Sequence, residues 1–192
     1  MIGVTVADTA CMRRRAGIVT ALLALALASA VAAGSSPAAP ATRSEATAGM
    51  DGLEAAIGRR INQVRQARGL APLRTQRRLA AAADFHSRDM GRRGYFEHES
   101  ADGTAFWRRI QRFYGSRGFR TWTVGENLLW ATDRFGAAFA VREWMKSRPH
   151  RKNILSRTWR EVGIGAVYFA SAPGEYEGRA VTIVTTDFGA RS

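Results

Sequence analysis

The chain is 192 residues long and 46% apolar, with 29 lysines and arginines against 16 acidic residues and a net charge of +13. Its single cysteine, Cys11, excludes a fold stapled by disulfides, so stability has to come from one hydrophobic core, for which this length is sufficient. The positive balance favours anionic partners by long-range attraction, but no basic run interleaved with aromatic residues argues for a nucleic-acid module, and no nucleic-acid partner is expected.

At the N-terminus Arg13, Arg14 and Arg15 precede an apolar run from Ala16 to Ala28 and then the small residues of SAVAAG. This is the plan of a secretory signal peptide, with cleavage expected just before Ala33 or Gly34 and a start at Met1 or Met12. The run is too short to span a bilayer comfortably, so residues 1–33 are read as a leader and no stable membrane span is expected after its removal. Loss of Arg13, Arg14, Arg15 and Asp8 with the leader lowers the net charge from +13 to +11. The expected setting is secreted or periplasmic, where anionic partners are envelope components such as wall polymers, lipopolysaccharide or lipid headgroups; a merely solubilising basic surface is the competing reading. Residues 34–50, rich in Ala, Ser, Pro and Thr, read as a flexible linker before a domain over 51–192.

Within that domain Leu53, Ile57, Ile61 and Val64 recur at steps of four and three, which predicts a helix ending at Gly69. Thr75 is the expected cap of a second helix with a buried stripe of Leu79, Ala83, His86 and Met90, stopped by Gly94. After the loop YFEHESADG, Thr104 is expected to cap a short third helix carrying Phe106, Ile110 and Phe113. A fourth helical pattern runs from about Arg134 to Ser147, with Phe135, Ala138, Val141 and Met145 facing inward and Pro149 closing it. VGIGAVYFA and RAVTIVTTDFG read as strands covered on both faces, joined by a hairpin loop at SAPGEYEG. Helices first and an antiparallel hairpin last give an α+β fold, a three-layer α-β-α sandwich around a mainly antiparallel sheet. The Gly163 and Gly165 doublet is not a phosphate loop, since no suitable helix follows it.

Three histidines follow the leader. His86 lies on an apolar helical stripe and reads as a core imidazole bonded to a neighbour. His98 and His150, in polar surroundings read as loops, are the better site candidates. The five tryptophans, Trp107, Trp122, Trp130, Trp144 and Trp159, read as core or cleft wall, and Asn127 and Asn153 as side chains bonded to backbone in loops.

The segments INQVRQARGLAPL, FEH, GENLLWA, REWMKSRPHRKNIL, VGIGA and TDFG, in this order over nearly all of Asp51 to Gly189, resemble the CAP superfamily of cysteine-rich secretory proteins, antigen 5 and pathogenesis-related proteins. The pairing of GEN with SRPHRKNIL resembles its bacterial, SCP-like branch, which lacks the disulfides of eukaryotic relatives. The resemblance implies an α-β-α sandwich whose cleft holds two histidines and two glutamates. By motif these are His98, Glu126 and His150, while Ser147 stands where many eukaryotic members carry the second glutamate; Glu143, one turn earlier, is a possible substitute. His98, Glu126 and His150 would make a three-ligand site for a weakly bound divalent metal such as zinc, with Glu143, Ser147 and Asn127 as further ligand-binding positions. A metal-free His and Glu hydrogen-bond network competes with that reading.

Three functions follow. The preferred one is an envelope or extracellular binding module whose cleft holds a small ligand or metal ion. The others are a metal-dependent hydrolase of peptide or cell-wall substrate with Glu126 as the catalytic residue, and a secreted interaction protein with a vestigial cleft. The absence of an assembled Ser-His-Asp or Cys-His set leans against an enzyme.

Overall fold

A computed structural model describes residues 43–192; the leader, Cys11 and residues 34–42 of the expected linker lie outside them. In chain order the elements are α1 (Arg43–Gln66), β1 (Arg74–Thr75), α2 (Arg77–Arg93), α3 (Phe106–Phe113), β2 (Trp122–Thr132), α4 (Ala137–Lys146), α5 (Arg148–Leu155), β3 (Glu161–Phe169) and β4 (Val181–Arg191). α1 begins at Arg43, so residues 43–50, expected as linker, are its first turns.

The sheet runs β1-β3-β4-β2, with β4 antiparallel to both β3 and β2 and the two-residue β1 parallel to β3. The predicted hairpin is thus the centre of the sheet. β2, which contains GENLLWA, is an edge strand that sequence patterning did not anticipate, because Glu126 and Asn127 interrupt its apolar character.

Period-two alternation explains the three layers. Val184 and Phe188 of β4 pack with Ile57 and Ile61 of α1, Val141 and Trp144 of α4 and Ile154 of α5. Val181 and Ile183 turn the other way, towards Met90 of α2 and Leu128 of β2, beside a third cluster of Leu79, Ile110 and Val124 under α2 and α3. Both sheet faces are therefore covered, as the apolar strand sequences imply. Gly163 and Gly165 are where α2 lies directly on β3: a Cβ there would sit 2.0 Å from the Ala80 nitrogen and 2.1 Å from that of Asp84. Their role is close helix-to-sheet approach.

Local details differ from expectation where tertiary context decides. Gln76, not Thr75, caps α2 by accepting from the Arg78 N–H, since Thr75 is drawn into β1. Gly94 does end α2, at φ 74°, with its N–H on the Met90 carbonyl. α3 starts after Ala105 without a side-chain cap, so Thr104 does not fill that role. Ala138 is exposed, and α4 buries Ala140, Val141 and Trp144 instead. Pro149 does not simply close α4: it occupies the first turn of α5, where its missing N–H has no helical partner to lose. His150 therefore stands on a helix, not in a loop. No helix among the described residues is long and apolar enough to cross a membrane.

Candidate functional site

The site is built around the open edge of β2. Backbone bonds from Asp133 N to Ala180 O and from Thr121 N to Ser192 O extend the ladder with β4, so odd-numbered residues of β2 pair with β4 and even-numbered ones turn their backbone outward. Two of those outward carbonyls are capped by side chains. The Asn153 amide of α5 donates to Glu126 O at 3.0 Å, and the Trp144 indole of α4 donates to Leu128 O at 2.9 Å. Asn127 donates to the His150 carbonyl at 3.1 Å and accepts from Asn153 at 2.9 Å. Arg65 of α1 donates to the Ile154 and Ser156 carbonyls, both at 2.8 Å. Helix α5, and with it His150, is thereby fixed against the strand edge.

On the α2–α3 side of that edge, Glu126 is fully buried and saturated. Its Oε1 faces His98 Nδ1 at 2.7 Å, and its Oε2 is ion-paired to the Arg109 guanidinium. Arg109, from α3, also donates to the His98 carbonyl at 2.8 Å, so one guanidinium holds both ends of the pair. Burial pulls the Glu126 carboxyl upward, but Arg109, His86 and His98 outweigh it and hold it down at about 2. Against an ionised Glu126, His98 Nδ1 is the nitrogen that donates, which leaves Nε2 as the one not engaged with this carboxylate.

Directly across the ladder stands Asp187 of β4, also fully buried. Burial, then the Glu126 charge, push its carboxyl well above the usual range. Both of its oxygens are buried without a hydrogen-bond partner, and a carboxyl in that position beside the ionised Glu126 is favoured in its neutral form. His86 completes the interior: its Nε2 meets the Glu97 carbonyl at 2.9 Å, so it carries the proton, and burial pushes the ring down to about 4. It is the core imidazole expected from its position.

On the α4–α5 side Glu143 and His150 are also buried but border a cavity. The cavity of about 20 Å³ is walled by Phe96, Leu128, Leu129, Trp130 and Trp144, with Glu143, Ser147 and His150 as its polar members. Such a volume suits a guest on the scale of a water or an ion. Burial, then the nearby His98, push His150 down to about 4, so its ring is neutral at pH 7. The Ser147 hydroxyl is buried without a hydrogen-bond partner. Glu143 accepts from Lys146 at 2.8 Å, lies 3.5 Å from Arg142, and is held below its ordinary range chiefly by the Lys146 hydrogen bond.

The structure thus brings Glu143, Ser147 and His150 together along the cavity and sets His98 with Glu126 behind it. Asn127 serves as scaffold on the strand, bonded to backbone but not in a loop, and does not line the cavity. Among the described residues no group of three or more His, Cys, Asp or Glu side chains is arranged to hold a metal ion, and both Glu126 oxygens are used by His98 and Arg109. Of the tryptophans, Trp130 and Trp144 wall the cavity, Trp122 and Trp159 are buried, and Trp107 is partly covered. Patterning missed Arg109 and Asp187. The available signals were an arginine on the apolar stripe of Phe106, Ile110 and Phe113, and an acid inside the apolar run of β4.

Residues 59–185 match the CAP family, described as the cysteine-rich secretory protein family. Among curated proteins, the chain is 31% identical over 126 residues to YkwD of Bacillus subtilis (strain 168), covering 66% of this chain and 47% of that one. It is 32% identical over 104 residues to the membrane protein YlbC of the same organism, covering 54% and 28%. The chain therefore spans less than half the length of these relatives. Among solved structures it is similar to an extracellular SCP-domain protein from Bacillus anthracis str. Ames, with TM-score 0.60 and 27% identity over 79% of this chain and 44% of that one. It shares its fold with an outer surface protein from Borrelia burgdorferi, at TM-score 0.52 and 18% identity over 71% and 90% of the two chains. With the motif order, the three-layer fold and the family match agreeing over the same residues, this chain belongs to the CAP family.

Proposed function

We propose that this chain is an exported binding module of the cell envelope or extracellular space, whose cleft takes a small ligand or a weakly held divalent cation at the imidazoles of His98 and His150. The observation that supports it is the saturation of Glu126 by Arg109 and His98. A carboxylate committed in this way orients His98 as an outer partner, in the manner of carboxylate–histidine pairs behind metal ligands, and is not itself a donor facing the cleft. Two imidazoles without a free carboxylate make a poor resident metal site and a fitting one for a reversible guest. Export is supported by the leader-like N-terminus and by the extracellular setting described for the Bacillus anthracis relative.

Against a hydrolase stands the lack of a poised base. Glu126 is sealed, and Glu143 is bound by Lys146 and held low, which weakens it as a proton acceptor at pH 7. Calorimetric titration with zinc at pH 7 tests the reading: the parent takes zinc weakly, and His98→Ala and His150→Ala each remove the heat. No heat in the parent, or unchanged heat in both variants, overturns the cation reading. Turnover of peptide or wall substrate that disappears in Glu126→Gln would establish the hydrolase instead.

A further inference from the structure

We infer that the face formed by α2, α3 and the turn leading into β2 docks on a lipid bilayer bearing anionic headgroups; the inference rests on the exported setting proposed above and uses no residue of the cleft. The exposed large hydrophobic side chains among the described residues are Phe85, 46% exposed, and Phe119, 41% exposed. Both converge on the end of α3. The Phe85 ring lies 5.8 Å from that of Phe113, and the Arg191 guanidinium spans from Tyr114, at 4.0 Å, to Phe119, at 4.4 Å.

Exposed arginines surround these rings. Arg78 and Arg92 lie seven residues on either side of Phe85 and so share its face of α2, roughly 10 Å away in each direction. Arg108 and Arg112 are one turn apart on α3, and Arg117 and Arg120 flank Phe119. From Gly103 to Val124 the chain carries no acidic residue. Among the described residues no carboxylate lies within ion-pair distance of Arg108, Arg112, Arg117 or Arg120, although the exposed Asp102 attracts Arg112 from further off, whereas Arg88 and Arg93 are paired to Asp84 and Asp89.

The charge complement of this face is an array of phosphates. The phenyl rings decide between possible arrays. A ring without a polar tip gains by leaving water, which an acyl boundary permits and a soluble polyanion does not. The face also lies away from the cavity, so it offers a surface and not a pocket.

The test uses the naturally processed protein from the producing cell and vesicles of phosphatidylglycerol and phosphatidylcholine in equal parts, with phosphatidylcholine alone for comparison. The parent binds the anionic vesicles and not the neutral ones. Phe85→Ser combined with Phe119→Ser weakens binding about tenfold at unchanged charge. Arg112→Gln, Arg117→Gln and Arg120→Gln together weaken it about a hundredfold, while the same charge loss away from this face, through Arg59→Gln, Arg68→Gln and Arg157→Gln, changes it about twofold at most. Equal losses in the two arginine sets overturn the proposal. So does full vesicle binding by the phenylalanine variant, in which case a soluble polyanion such as polyphosphate is the better partner. Zinc titration of the same variants separates this proposal from the cleft reading, since none of these positions touches His98 or His150.

Discussion

The two sides of the β2 edge hold similar residue types in opposite conditions. Towards α2 and α3, His98, Glu126 and Arg109 are buried and committed to one another, with Asp187 buried across the ladder. Towards α4 and α5, His150, Ser147 and Glu143 line a cavity. The first arrangement contributes rigidity and fixes which His98 nitrogen faces Glu126; the second leaves donors for a guest. A buried, paired set is costly to break and one bordering a cavity is cheaper to alter, so substitutions should separate stability from binding along this line.

The sharpest break is Arg109→Ala. It leaves the Glu126 carboxylate buried without its counter-ion, and the expected loss is about 3–5 kcal/mol in denaturant unfolding. A loss no larger than that of an ordinary surface substitution would mean that the committed side is not held by this pair. The next effect is on pH. His86 and His150 are both pushed from 6.5 to about 4, so the unfolded chain binds more protons than the folded one between these values. These two groups by themselves make stability fall on acidification through this window, while Glu54, raised to about 7 by burial, and Asp187, raised well above its ordinary value, act in the opposite sense. Glu126, held at about 2 against an ordinary 4.5, adds a further loss below pH 4.5 as its protonation undoes the pair with Arg109. Unfolding midpoints of the parent and of His150→Asn, measured from pH 7 to pH 3, check the sign: the variant should lose less stability on acidification than the parent, and an equal or larger loss contradicts it.

Smaller changes sharpen the contrast. Ser147→Glu adds a carboxylate to the cavity beside His150 and should strengthen zinc binding about tenfold in calorimetry. Asp187→Asn replaces one neutral hydrogen-bond donor by another opposite Glu126, so the unfolding free energy at pH 7 should stay within about 1 kcal/mol of the parent. A larger loss would show that Asp187 is ionised in the folded chain. Because its carboxyl is raised on folding, Asp187 lowers stability as pH climbs above its ordinary value, and the asparagine variant should lack that decline.

Much of the frame was legible because it rests on local patterns. The stripes of α1 and α2, the Gly94 stop and the two doubly covered strands follow from spacing and composition, and motif order identified the family and placed His98, Glu126 and His150. What patterning could not supply depends on partners remote in sequence. β2 is a strand because β4 pairs with it along its length, despite the polar Glu126 and Asn127 within it. Pro149 read as a terminator, yet the same lack of an N–H that ends one helix suits the start of another, and this moved His150 onto α5. The decisive point, that Glu126 is already taken, required Arg109 to be recognised as an interior residue. Its place on the stripe with Phe106 and Ile110 was the only local sign.

The central claim is that Glu126 holds His98 and does not itself receive a guest, and nitrogen NMR of the histidine rings during zinc addition tests it most directly. Without zinc, His98 should hold a proton on Nδ1 against Glu126. On titration the Nε2 signal of His98 and a ring nitrogen of His150 should shift together, while the Nδ1 proton of His98 stays in place against Glu126. Loss of that proton on zinc addition, or a shift confined to other residues, would contradict the account.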